Sequence, residues 1–248
     1  MGVLFTALAL SLVCLLLSSP ALVKSGQRTY AFLSVLFVFV LTTSTDLRRI
    51  FPAIPRIPGR YNWTGKLFEL VVSVIAISLL TRIGGWRREE FGLKLSFAPG
   101  TGRDVWRFLV PALLLDTLVL SLIVPGQTPT LEDHLFQLSA PGLTEELAFR
   151  GVLMALLDRA FLGRVRVLGA NLGWSAVVTS LLFGLWHGLD VSPRFAISLD
   201  LAPMMVPMAG GFVLAWCRAR SGSLLLPIAV HSGMNEIANL IALVKSRW

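Results

Sequence analysis

Long uncharged runs, each near the length of a membrane-crossing helix, alternate along this chain with short segments rich in Lys, Arg, Gly and Pro. A helix needs about 20 apolar residues to cross the hydrocarbon core of a bilayer. On that measure eight spans are expected, at about 3–23, 29–45, 67–84, 105–124, 135–158, 170–188, 196–217 and 222–244. The first apolar run, Gly2 to Val23, has no basic segment ahead of it and is long for the core of a cleaved leader, so it reads as a transmembrane helix. Between spans two and three lies a basic loop, Asp46 to Lys66, in which Pro52, Pro55 and Pro58 oppose regular structure. Gly85 to Arg103, with Trp86-Arg87-Arg88-Glu89-Glu90, has the mixture of a segment lying at the membrane interface. Asp200 and Pro203 predict an interrupted start to the seventh span. The expected fold class is all-α: a polytopic membrane helical bundle of about eight transmembrane helices. Residues 1–248 form a single integral membrane domain, with N-terminal spans and an interfacial loop over 1–130 and polar motifs on the helices of 131–248.

Composition agrees with that pattern. The 248 residues are 55% hydrophobic and only 15% charged, against about 25% charged in a soluble domain. The formal charge is +8, but Lys and Arg punctuate apolar runs and form no continuous patch, so they read as membrane-flanking charge and nucleic acid is excluded as a partner. With eight spans, thirteen Lys and Arg fall on the side holding the loops after spans one, three, five and seven, and eight on the side with the termini. The positive-inside rule then places both termini outside the cytoplasm, although five of the eight crowd the second loop and pull the other way. Cys14 and Cys217 lie inside spans without metal-ligand spacing and read as small apolar residues. Gly2 with Thr6 matches a myristoylation pattern, but inside a span it carries no weight. The chain has no internal repeat.

Three polar islands interrupt the apolar second half: Glu145-Glu146-x-x-x-Arg150, Phe183-x-x-x-His187 and His231-x-x-x-Asn235. A charged residue at the centre of a span costs roughly 2.5–3.5 kcal/mol on insertion scales, so such residues mark function by default. Adjacent helical residues point about 100° apart, so Glu145 and Glu146 face different neighbours. Arg150 is four residues beyond Glu146, the favourable order for an ion pair, so those two are expected to neutralise each other in a supporting role. Glu145 then has no cation near it in sequence and is the candidate general base, an acid whose apolar setting would raise its pKa. Phe183 and His187 share a helix face; Phe183 reads as a wall residue, while His187, alone, is equally an interfacial histidine. His231 and Asn235 also share a face, which Asn239 extends, and Pro227 one turn earlier is expected to loosen the helix. Asn and neutral His are donors able to hold an oxyanion, or simply to bond between helices.

Three such islands in this order, on late helices of an eight-span protein, resemble the CPBP family of intramembrane proteases, which includes CAAX prenyl endopeptidases of the Ras-converting type and bacterial relatives. The resemblance covers about 140–240 and rests on Glu145-Glu146-x-x-x-Arg150, Phe183-x-x-x-His187 and His231-x-x-x-Asn235. It implies that Glu145 activates a water, that His187 holds the same water, that His231 and Asn235 form an oxyanion hole, and that Glu146 and Arg150 support them. The family is often labelled metalloprotease, and Glu145, His187 and His231 are the set that would hold zinc. No His-x-x-x-His or His-Glu-x-x-His spacing occurs, and Asn beside His231 suits an oxyanion hole better than a metal shell. A glutamate-activated water without cofactor is therefore expected, with zinc as the alternative.

The expected function is an intramembrane endopeptidase in a multi-pass membrane protein (of the cell membrane in a prokaryote), acting on a membrane-anchored protein or peptide within the lipid bilayer. Two rivals use the same residues: a non-catalytic adaptor or bacteriocin-immunity protein that binds peptide in the same cavity, and a proton-coupled transporter. The transporter ranks last, since no inverted repeat or matched pair of broken helices is present.

Overall fold

In the computed structural model, which describes residues 2–248, eight long helical segments follow the eight expected spans. They are α1 (Gly2–Leu22), α2 (Ser25–Thr45), α3 (Trp63–Arg82), α4 (Thr101–Ile123), α5 (131–160), α6 (Trp174–Gly188), α7 (Leu201–Ser221) and α8 (Leu225–Lys245). Five of them, α1 to α4 and α7, are long and apolar enough to cross a membrane by length and composition alone. The remaining three carry the polar islands. Together they make an all-α, multi-pass membrane bundle.

Small residues set the helix contacts, since helices embedded in lipid associate by close packing. α1 lies along α2 through Ala7, Ser11, Cys14 and Ser18 on one side and Ala31 and Ser34 on the other, all buried. α3 buries Gly65, Glu69, Ser73 and Ile77, a stripe repeating every four residues, and packs against both α2 and α5. α6 and α7 approach closely: a Cβ on Gly184 would lie 2.5 Å from Cβ of Met208 and 2.6 Å from the carbonyl oxygen of Met204. Cys14 and Cys217 are both buried free thiols inside helices, as a small apolar role requires.

Several boundaries differ from the sequence expectation. α3 begins at Trp63, capped by the Asn62 side chain on the Gly65 amide, so Lys66 belongs to the helix and not to the preceding loop. Residues 170–173 are the second strand of a hairpin, Arg164–Val167 with Ala170–Gly173, so the sixth helix starts at Trp174. The two-residue turn is Leu168-Gly169, both at positive φ (47° and 84°), the backbone a primed hairpin turn demands. A second hairpin, Leu189–Val191 with Ile197–Leu199, delays α7 to Leu201. Pro203 then falls in the first turn, where no intrahelical amide bond is lost, so α7 starts without a break. For the same reason Pro227, the third residue of α8, does not loosen that helix. The Gly85–Arg103 segment folds inward: Trp86 and Phe91 stack on each other and are buried in the main core with Leu147, Val152 and Leu224.

α5 is interrupted by a π-helical stretch, Leu147–Leu153, directly after the Glu145-Glu146 pair. Such wide turns recur at functional sites because they re-aim the side chains around them. The N-terminus of α5 is held by Thr130, whose side chain and backbone exchange bonds with Asp133, while Arg60 and Tyr61 from the Pro-rich loop also bond that carboxylate. The helix that bears the acids is thereby anchored at one end and widened just beyond them.

Candidate active site

Glu146, Arg150 and His231 form the buried floor of the site. Glu146 and Arg150 are completely buried, and Arg150 Nη1 donates to Glu146 Oε1 at 2.9 Å, the pair expected from their spacing. The same oxygen accepts from His231 Nδ1 at 2.8 Å. The second guanidinium nitrogen, Nη2, donates to the Gly211 carbonyl at 3.1 Å across to α7. Glycine makes room there: a Cβ would sit 3.2 Å from that nitrogen and equally close to Ser180, so its neighbours would have to give by a few tenths of an ångström. The face of Phe183 covers the guanidinium at 4.4 Å, and its ring stands edge-on to His187 (4.6 Å) and His231 (5.8 Å). Phe183 is the wall residue its position suggested.

Glu145 points the other way, into a cavity of about 340 Å³ whose wall also includes Lys66, His187, His231 and Asn235. Its Oε2 is buried without a hydrogen-bond partner among the described residues. That oxygen lies 3.9 Å from His187 Nε2 and 3.8 Å from His231 Nε2. Three helices thus bring one carboxylate and two imidazoles to a common point, at separations that one water molecule bridges.

The other ring nitrogens fix the tautomers. His187 Nδ1 is 2.7 Å from the Phe183 carbonyl, which only accepts, so Nδ1 carries a proton. His231 Nδ1 faces a carboxylate oxygen already bonded by Arg150, so it too is protonated. A neutral His231 therefore presents an Nε2 lone pair to the cavity. It donates there only as the imidazolium, which corrects the expectation of a neutral histidine donor. Asn235 lies on the cavity wall beside it, whereas Asn239 turns aside and bonds Glu236 at 3.3 Å.

Glu145 also has the cation that sequence proximity did not supply. Lys66 Nζ from α3 donates to Glu145 Oε1 at 2.5 Å and to Glu69 Oε2 at 2.8 Å. The premise of an isolated carboxylate is thus replaced by a buried Glu69–Lys66–Glu145 chain. With both histidines neutral, three carboxylates (Glu69, Glu145, Glu146) face two cations (Lys66, Arg150).

Lys66 and Glu69 were missed by the sequence reading. The signal was present: two ionisable residues three apart, one of them inside an apolar span, satisfy the same criterion that singled out Glu145.

The family model described as type II CAAX prenyl endopeptidase Rce1-like matches residues 127–237, which contain Glu145, Glu146, Arg150, Phe183, His187, His231 and Asn235. No curated protein and no solved structure matches the chain. The matched segment holds His187, His231, Glu145, Glu146 and the greater part of the cavity wall, while Lys66, Glu69 and Asp116 enter from outside it. Residues 127–237 of this chain are therefore similar to the Rce1-like type II CAAX prenyl endopeptidases, a membrane protease family.

Proposed function

We propose that the chain hydrolyses a peptide bond of a membrane-tethered protein or peptide by a glutamate-activated water. The observation that carries this reading is the meeting of Glu145 Oε2 with the Nε2 atoms of His187 and His231 at the cavity surface. A water between them gives a proton to Glu145 while its oxygen attacks the scissile carbonyl carbon. The carbonyl electron pair moves onto oxygen, where Asn235 and the imidazolium of His231 stabilise it. Collapse of the intermediate breaks the C–N bond, and Glu145 passes its proton to the leaving amine. Lys66 holds Glu145 in place through Oε1 and leaves Oε2 for the water. The apolar part of the wall, including Leu120, Phe136, Leu214 and Met234, suits a lipid-linked or hydrophobic C-terminal peptide of the kind a CAAX endopeptidase trims.

Zinc on Glu145, His187 and His231 is the alternative, favoured by two imidazole lone pairs turned toward one carboxylate oxygen. The donor set fits it poorly. The 3.8–3.9 Å separations exceed the roughly 3.3 Å edge of a tetrahedron with bonds near 2.0–2.1 Å. No group of three or more His, Cys, Asp or Glu among the described residues has metal-holding geometry.

The test is cleavage of a lipid-anchored peptide by the purified protein in liposomes, with metal analysis of the same preparation. Glu145→Ala is expected to abolish cleavage, and chelation to leave the wild type active. Full turnover by Glu145→Ala sinks the mechanism, and one tightly bound zinc per active chain replaces the metal-free version. Full complementation in cells by Glu145→Gln supports the peptide-binding adaptor instead.

A further inference from the structure

A second acid reaches the same cavity and takes no part in this chemistry. Asp116 lies midway along α4, a helix whose Leu114, Leu115, Leu118 and Leu122 are exposed to the surroundings of the bundle. Asp116 turns the other way with Leu120, one helical turn on, and both line the cavity. Its Oδ2 is buried with no hydrogen-bond partner among the described residues. Lys66 is the cation on the cavity wall, and it is already shared by Glu69 and Glu145. The wall of the cavity that Asp116 shares also includes Leu120, Phe136, Leu214 and Met234, with Gln137 as a neutral polar group. An unpaired carboxylate among such residues is costly, and the cost falls when a cation meets it.

We infer that Asp116 receives a Lys or Arg side chain of the peptide substrate, so that the protein selects substrates with a basic residue close to the cleaved bond. The inference rests on the peptidase reading above. Lys and Arg suit the site because their aliphatic stems lie along apolar surface while the charged head reaches the acid. A cavity of 340 Å³ is roughly 9 Å across if spherical, and extended peptide advances about 3.3 Å per residue. The basic residue therefore falls within about three residues of the scissile bond.

The experiment uses the full chain in liposomes and a pool of lipid-anchored peptides, with cleavage sites read by mass spectrometry. Each position around the cut carries Lys, norleucine or Glu in turn. A charge-assisted hydrogen bond predicts roughly 10-fold or more higher kcat/KM for Lys than for norleucine at one position near the cut. Asp116→Asn should bring that ratio close to one, Asp116→Glu should retain it, and Asp116→Lys should transfer the preference to Glu peptides. Ratios between peptides are unaffected by how much of a variant is folded. Cleavage that depends on Glu145 but shows no Lys preference, or the same preference in Asp116→Asn, overturns the inference and leaves the peptidase reading standing. Absence of any Glu145-dependent cleavage sinks both.

Discussion

Removing Lys66 exposes how the site is held together. In Lys66→Met the side chain keeps its length but loses its charge, leaving Glu69 and Glu145 facing each other without the ammonium between them. The Lys66 side chain is 12% exposed, that of Glu145 6% and that of Glu69 0%, so water does little to compensate. Breaking a buried pair by removing one partner costs about 3–5 kcal/mol. At about 2–4 °C per kcal/mol for a chain of this size, the melting temperature should drop by roughly 6–20 °C. The charge balance makes a sharper prediction: Lys66→Met with Glu69→Gln removes one cation and one acid together and should be more stable than Lys66→Met alone. Thermal unfolding of wild type, Lys66→Met, Glu69→Gln and the double variant in the same detergent or nanodisc measures this, with peptide turnover as a second readout. An unchanged melting temperature in Lys66→Met, or a double variant no better than the single one, refutes the idea that Lys66 is the counter-charge of the cluster.

Arg150→Met should be more damaging than any change at the cavity surface. It strands Glu146 and the Gly211 carbonyl in a fully buried place; a loss of at least about 3 kcal/mol is expected, visible as failure to accumulate in membranes or a collapsed melting transition. Asn235→Ala, by contrast, should melt nearly as wild type while kcat drops about 100- to 1000-fold, the usual effect of removing one oxyanion donor. Outside the spans, Glu90 bonds Arg159 at 2.6 Å, and Arg159 in turn covers Trp86. Partial burial pushes the Glu90 carboxyl up, but the Arg159 hydrogen bonds and the Arg87 amide outweigh it and hold the group below its usual value. A depressed carboxylate stabilises the fold above its unfolded pKa of about 4.3 and loses that contribution as pH falls through the folded value. Glu90→Gln should therefore melt slightly lower than wild type at pH 7, by about 0–1 kcal/mol equivalent for a half-exposed pair, and the gap should close in acid. A gap that persists at pH 3 argues that the bridge does not set the stability of this segment.

Much of the fold is legible in the chain because lipid leaves few choices. A run of apolar residues in a bilayer must satisfy its own amides, and a helix does so. The eight expected spans accordingly match eight helices, and the spacing of Glu146 and Arg150 correctly predicts their ion pair. The errors fall at connections. Arg164–Val167 and Ala170–Gly173 form a hairpin about Leu168-Gly169, a turn without the Asn-Gly or Asp-Gly signature. Trp86 and Phe91 were expected at an interface because composition cannot tell an aromatic residue facing lipid from one folded back on the bundle. Pro203 and Pro227 read as interruptions until the helix starts are known, since the same residue breaks a helix interior and fits a first turn.

What the sequence by itself determined is the class, the number of helices and the polar residues whose place in apolar helices needs a reason: Glu145, Glu146, Arg150, His187, His231 and Asn235. These follow from local properties, apolar length and helical period. Only the tertiary structure decided which of those groups meet. The Lys66 contact to Glu145 joins residues 79 positions apart, and the His231 contact to Glu146 joins residues 85 apart. No periodicity spans such separations; they depend on α3 and α8 each packing against α5. The tertiary contacts turned Glu145 from an isolated acid into the partner of a lysine, and fixed both imidazole tautomers. They also brought Asp116 to the wall of the same cavity.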